Sequence, residues 1–207
     1  MEVMYTALLA LSAFWLGACP FSLWIGQWRL GKDIRQYGDG NPGARNVFRA
    51  GGHNWGIIAM VLDIVKGMPF VILAHALFGL PEIAIVAVAL SAILGHAFSP
   101  LLRFKGGKAL AVTGGVLLAL PQHEILISVL IFMFLAFLFI APDAWRTMFG
   151  TASSLIYLIV TKGSSWESLL MLCVVIILAV KHFDDLRTVP IFKFRLIGWL
   201  RSKKAAN

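Results

Sequence analysis

The chain has 207 residues, 59% of them hydrophobic and 14% charged, with a formal net charge of +8 and a mean hydropathy of +0.85. Several long apolar runs at that hydropathy exclude a soluble globular domain and indicate a polytopic membrane protein, because each bilayer-spanning helix takes about 20 predominantly apolar residues. The basic residues are not interleaved with exposed stacking aromatics, so the charge does not indicate nucleic acid; Cys19 and Cys173 both lie in apolar runs and form no disulfide framework.

Seven apolar segments are predicted, at roughly 4–26, 55–78, 82–102, 109–121, 124–141, 151–161 and 167–181. Helices are expected throughout, because lipid leaves an open sheet edge unsatisfied. No basic segment precedes the first run, so it is read as a retained helix and not a cleaved signal. Pro20, Pro69, Pro100 and Pro121 punctuate the runs and predict kinks or helix ends. The fourth and sixth segments are short for a span.

Charge orients the chain. With seven spans and the N-terminus outside, the inner segments are 27–54, 103–108, 142–150 and the tail from 181, and they hold 16 of the 18 Lys and Arg residues. That asymmetry is what the positive-inside rule requires. The expected fold class is therefore an all-α polytopic membrane protein with seven transmembrane helices, the C-terminus cytoplasmic, forming one membrane domain over 1–207. Its basic tail, about 188–207, alternates apolar and basic residues in IFKFRLIGWLRSKK and reads as an amphipathic helix on the inner leaflet.

The polar chemistry gathers on the cytoplasmic side. In GKDIRQYGDGNPGARNVFRAGG, residues 31–52, glycines allow backbone N–H groups to converge on an anion. Arg45 and Arg49 would share one face of a helix beginning near Pro42, and a guanidinium fork matches a phosphate. A second stretch, GHAFSPLLRFKGGKALAVTGG at 95–115, sets Lys105 and Lys108 either side of Gly106 and Gly107. Lysines beside helix-terminal N–H groups suit phosphate or carboxylate capture. A solvated inner loop and a tight turn with snorkelling lysines remain the plain alternatives. Within the second run, Asp63 and Lys66 are three apart and can pair on one face, and His75 is isolated. His96 falls near the inner end of the third run. KHFDD at 181–185 brings His182, Asp184 and Asp185 to the inner surface, with no spacing that indicates a metal site.

These stretches, in this order, resemble the PlsY family, the bacterial membrane glycerol-3-phosphate acyltransferases that use acyl-phosphate. The family elements G-S-x-P, K-D-[IV]-R-x-x-G-S-G-N-x-G-A-T-N-x-x-R, L-D-x-x-K-G, G-H-x-F-S-P-[FL]-L-x-F-K-G-G-K and K-H-R-x-N correspond to GACP at 17–20, KDIRQYGDGNPGARNVFR at 32–49, LDIVKG at 62–67, GHAFSPLLRFKGGK at 95–108 and KHFDD at 181–185. The resemblance implies transfer of a fatty acyl chain from acyl-phosphate to the 1-hydroxyl of glycerol 3-phosphate, without cofactor or metal, at the cytoplasmic face of the bacterial inner membrane. It implies that Arg49 and Lys108 hold phosphates, that Asn41 and Asn46 orient the acceptor or acyl-phosphate, and that His182 bonds the acceptor. Gly38, Asp39, Gly40, Gly43, Arg45, His96, Lys105, Gly106, Gly107 and Asp185 complete the expected substrate-binding set.

Four positions depart from the family pattern: Ala18 and Asp39 stand for serines, Arg45 for threonine and Asp185 for asparagine. A carboxylate beside a phosphate pocket repels the ligand, by about 4 kcal/mol at 4 Å for an effective dielectric near 20. Arg45 is the expected neutraliser, in an Asp39–Arg45 pair. Alternatively Asp39 contacts a different acceptor or acts as a base, or the chain is a divergent or inactive family member.

Overall fold

The computed structural model describes residues 1–192, and among these every extended element of regular structure is helical. The described residues form two compact units, Met1–His123 and the residues from Glu124 onward.

In the first unit the opening apolar run is split. Helix α1 (Glu2–Ala18) stops at Cys19, and α2 (Phe21–Leu30) starts after Pro20, whose ring lacks the N–H that a continuous helix would need. Gly31 closes α2 in the left-handed conformation, with φ 63°. A polar loop follows, bearing one 3-10 turn (Ile34–Gln36), and then the short α3 (Ala44–Arg49). Two apolar side chains pin this loop. Ile34 and Val47 are wholly buried against Leu23, Ile25, Ala50 and Ala59. Each such burial contributes about 1.5–3 kcal/mol, which offsets the cost of ordering a glycine-rich segment.

The second run is α4 (His53–Val65), broken before Pro69 and resumed as α5 (Pro69–Ile72) and a π-type turn (Leu73–Leu77). His75 in that turn bonds through Nε2 to the Ala119 carbonyl at 2.8 Å. Helix α6 (Glu82–Ala97) packs on α1 at very close range. A Cβ on Gly17 would overlap the Ala92 carbonyl oxygen, and one on Gly95 would overlap the Phe14 carbonyl oxygen. Small residues thus let the two backbones touch, the usual means of joining helices in lipid. A 3-10 turn (Pro100–Leu102) leads into a loop and then α7 (Leu110–Ala119).

The second unit contains α8 (His123–Phe139, whose first residue lies in the first unit), α9 (Asp143–Lys162), α10 (Trp166–Lys181) and α11 (Phe183–Leu186). Lys162 bridges Glu124 and Glu167 at 2.9 Å each, and Tyr157 donates to Glu124 at 2.8 Å. On α8, Ile127, Leu130, Ile131 and Phe134 are more than half exposed, an apolar face suited to lipid.

Among the described residues, three apolar stretches are long enough to cross a membrane: Glu2–Leu30, His53–Leu77 and Glu82–Leu102. The segments predicted at 109–121, 124–141 and 167–181 match α7, α8 and α10 within about two residues. Helix α7, at 10 residues, is about 15 Å long, half the hydrocarbon thickness. The sixth segment needs correction. Residues 142–150 were expected as an inner loop, but α9 runs unbroken from Asp143. Pro142 just ahead of the helix, Asp143 in its first turn and the Asp143–Arg146 ion pair at 2.7 Å are helix-start signals that outweigh the polar composition. The expected amphipathic tail helix lies largely outside the described residues. Its first part is not helical: residues 188–192 form no helix, and Phe192 pairs with Ile140 in an isolated bridge.

Candidate active site

The site grows from the pinned loop of the first unit. Gly38 (φ 61°) and Gly40 (φ 71°) turn the chain back on itself, and Asp39 sits between them. Gly38 is required twice over. Its left-handed φ disfavours any side chain, and a Cβ there would collide with Arg49 Nη1 and with Asn46 Oδ1. Gly43 precedes α3, whose first turn Asn46 joins by donating its backbone N–H to the Gly43 carbonyl at 3.0 Å. As expected, Arg45 and Arg49 lie four apart on that helix, and both are exposed.

Asp39 is the hub of the cluster. Lys108 Nζ donates to its Oδ2 at 2.6 Å, and Asn46 Nδ2 donates to its Oδ1 at 2.9 Å. The Asn41 backbone N–H reaches Oδ1 at 3.3 Å, and Arg49 Nη1 lies 4.0 Å from it. Asn46 also donates to the Asn41 carbonyl at 2.9 Å, and its own Oδ1 accepts from Arg49 at 3.3 Å. Two cations, one amide and one backbone N–H therefore converge on a single anion. Burial acts to raise the Asp39 pKa, but the Lys108 hydrogen bond and charge, with Asn46 and the Asn41 N–H, outweigh it and bring the carboxyl down to about 2. Lys108, 69 residues on, pairs with this carboxylate, a partner the sequence did not suggest when it pointed to Arg45. A carboxyl at about 2 is also a poor general base near neutrality.

Lys108 is held by the second predicted stretch. The Gly107 N–H donates to the His96 carbonyl at 3.1 Å. A Cβ on Gly106 would overlap that carbonyl, and one on Gly107 would overlap the His96 imidazole. Glycine at both positions thus lets the loop lie flat on the end of α6. The same loop bends through three non-glycine residues at positive φ: Arg103 (53°), Phe104 (62°) and Ala109 (63°). Such conformations cost about 1–3 kcal/mol each and collect at functional sites. Lys105 stands on the same loop. It lines a neighbouring cavity of about 570 Å³ together with Arg35, Arg103, Gly40, Pro42, Leu101 and Leu102.

Behind His96 lies a buried polar network that the sequence indicated only in part. Asp63 and Lys66 pair as expected, at 2.7 Å, and are almost fully buried. Ser22 Oγ donates to Asp63 at 2.6 Å, Lys66 Nζ donates to the Cys19 carbonyl at 2.9 Å, and His96 Nδ1 lies 3.9 Å from Asp63. Ser99 Oγ closes the set by donating to the Ala18 carbonyl at 2.6 Å. The carbonyls it uses belong to the break at Pro20, where the helix leaves acceptors unfilled. Ser22 and Ser99 were not singled out from sequence; the signal was a hydroxyl inside an apolar run, which needs a partner in lipid.

His182 and Asp185 belong to the second unit. His182 is buried at the end of α10, its Nδ1 2.9 Å from the Leu178 carbonyl, while the Asp185 carbonyl accepts from Thr188 at 2.7 Å. Among the described residues no three His, Cys, Asp or Glu side chains gather as a metal site.

The chain is similar to known proteins over most of its length. Residues 7–189 match the family model described as glycerol-3-phosphate acyltransferase. A glycerol-3-phosphate acyltransferase of Streptococcus equi subsp. equi is 30% identical over 200 residues, 93% of this chain and 92% of that one. Another, of Enterococcus faecalis, is 41% identical over 135 residues, 65% of this chain and 62% of the relative. The crystal structure of PlsY (YgiH), an integral membrane glycerol 3-phosphate acyltransferase, in its glycerol 3-phosphate form superimposes with a TM-score of 0.79 at 26% identity, covering 88% of this chain and 90% of that one. Its lysophosphatidic acid form gives 0.76 at 25% identity. With a family match across nearly its whole length and a helical scaffold shared with a solved member, the chain belongs to the glycerol-3-phosphate acyltransferase family.

Proposed function

We propose that the protein transfers a fatty acyl group from acyl-phosphate to the 1-hydroxyl of glycerol 3-phosphate. Lysophosphatidic acid and inorganic phosphate are released. One observation carries the reading: Lys108, Asn46 and Arg49 converge on one anionic position, at 2.6, 2.9 and 4.0 Å from the Asp39 oxygens. A tetrahedral phosphate suits the same donors, because ammonium and guanidinium groups both form charge-assisted bonds to its oxygens.

In this reading Arg49 and Lys108 hold phosphate groups and Asn41 and Asn46 orient the substrates. The hydroxyl oxygen attacks the acyl carbonyl carbon and the carbonyl–phosphate bond breaks. The departing phosphate carries off the hydroxyl proton, so no protein base is needed. The two cations stabilise the charge that builds on the leaving phosphate. His182, whose Nδ1 lies 2.9 Å from the Leu178 carbonyl, hydrogen-bonds the acceptor. The chain forms one integral membrane domain of seven spans, N-terminus outside, in the bacterial cell membrane, with the basic loops and the site on the cytoplasmic side, where the lipid product stays in its leaflet. The charge asymmetry supports that orientation.

The test is phosphate release by protein purified into lipid, with palmitoyl-phosphate and glycerol 3-phosphate. Acceptor-dependent release that falls at least about a hundredfold in Lys108→Met supports the reading, since losing a preorganised charge stabiliser typically costs that much. Release independent of glycerol 3-phosphate, or none, refutes it.

A further inference from the structure

We propose that Asp39 is a built-in competitor for the phosphate-binding position of this site, and so sets how tightly the protein takes its phosphate-bearing substrate. The inference rests on the function proposed above and adds a determinant of substrate affinity to it.

The donors that make the cluster an anion site are engaged by the chain itself. Lys108 Nζ and Asn46 Nδ2 each bond one Asp39 oxygen, the Asn41 N–H adds a third bond, and Arg49 lies within ion-pair distance. A phosphate that uses Lys108 and Asn46 has to take them from the carboxylate, because an acceptor oxygen already fills the near side of each. Left in place, the carboxylate would also repel the phosphate across a few ångströms. Binding is therefore an exchange of one anion for another.

The geometry permits that exchange. The Lys108 and Asp39 side chains are 26% and 30% exposed, so the released carboxylate can turn to water at small desolvation cost. Asp39 lies between two glycines with positive φ, which gives the chain on either side more backbone freedom than it would otherwise have. Lys108, by contrast, stands on a loop laid flat against His96, and Asn46 is buried on α3. The donors are fixed and the competitor is the part built to move. Electrostatics agrees: the Asp39 carboxyl is held far below the ordinary range, so it is anionic throughout physiological pH and competes in full charge. A dianionic phosphate out-competes a carboxylate on charge, whereas a monoanion of similar size gains little by the exchange. Asp39 thus filters for phosphate at the expense of affinity.

The experiment measures binding of inorganic phosphate and of glycerol 3-phosphate, each by itself, to the purified full-length protein in lipid nanodiscs by titration calorimetry. Wild type, Asp39→Asn and Asp39→Glu are compared, with thermal melting of each as the folding control. Asp39→Asn keeps the polar shape and removes the charge. It is expected to bind both ligands about tenfold tighter, the size of one charge-assisted contact no longer contested. Asp39→Glu keeps the anion and is expected to remain within about threefold of wild type. The Asp39→Asn gain is expected to vanish in a Lys108→Met background. Equal or weaker phosphate binding by a folded Asp39→Asn protein overturns the proposal, as does an equal gain in Asp39→Glu. Turnover of palmitoyl-phosphate in the same preparations separates this from the function itself. Tighter binding in Asp39→Asn with no turnover in any variant keeps the competitor and refutes the acyltransferase reading. Turnover with unchanged affinities does the reverse.

Discussion

Replacing Lys66 by methionine strips the Asp63 carboxylate of its nearest cation. Asp63 and Lys66 side chains are 3% and 1% exposed and 2.7 Å apart. After the change Asp63 keeps the Ser22 hydroxyl at 2.6 Å and the His96 imidazole at 3.9 Å. Removing one partner of a buried ion pair typically costs about 3–5 kcal/mol, because the remaining charge is left without compensation. Lys66 also donates to the Cys19 carbonyl, so about 1 kcal/mol more is lost where the chain breaks at Pro20. A loss of about 5 kcal/mol is therefore expected for Lys66→Met. The double variant Asp63→Leu/Lys66→Met, which leaves no charge buried, should lose clearly less than the sum of its singles. The assay is reversible unfolding in mixed micelles for wild type, both singles and the double, read as a double-mutant cycle. Additive losses, with a coupling below about 0.5 kcal/mol, would refute the reasoning. The phosphate site should feel the change too, because His96 supports the glycine pair that carries Lys108.

Gly38→Ala adds a methyl where φ is 61° and Arg49 and Asn46 already pack. A cost of about 1–2 kcal/mol from the left-handed conformation alone is expected, and more from moving Arg49; the check is a rise of about tenfold or greater in KM for glycerol 3-phosphate beside a modest fall in melting temperature. Ile34→Ala empties a wholly buried site under the polar loop. It should destabilise by about 2–5 kcal/mol, and protease cleavage within 31–43 should accelerate. For pH, Asp39 falls from 3.8 in the unfolded chain to about 2 when folded. The stability it contributes is present in full above about pH 4 and is lost as pH falls towards 2. The melting-temperature difference between wild type and Asp39→Asn should therefore be flat from pH 5 to 8 and change only below about pH 4. An inflection near pH 6 would show that another group governs it.

Much of the architecture was written in composition and periodicity. A membrane chain must satisfy its backbone within each span, so apolar runs predict helices directly, and prolines mark the breaks at Cys19–Pro20 and before Pro69. The glycine-rich stretches were likewise legible as polar loops, because φ freedom and bare backbone are properties of the residue itself. The loop expected at 142–150 failed for a local reason: helix-start chemistry at Pro142 and Asp143 was weighed below polar composition.

The partners in the site belong to tertiary structure. From sequence, Arg45 was expected to neutralise Asp39; the fold also brings Lys108 from 69 residues away to within 2.6 Å of that carboxylate. Ser22 and Asp63, 41 residues apart, meet in the same way. Charge and hydrogen-bonding capacity are carried by each residue type, but which charges meet depends on how helices pack. That in turn depends on glycine contacts such as Gly17 on Ala92 and Gly95 on Phe14, where a Cβ would run into backbone oxygen. The sequence by itself determined a helical membrane protein with two phosphate-suited loops. Only the packing of those helices decided that one of the loops would bring its own anion to a lysine of the other.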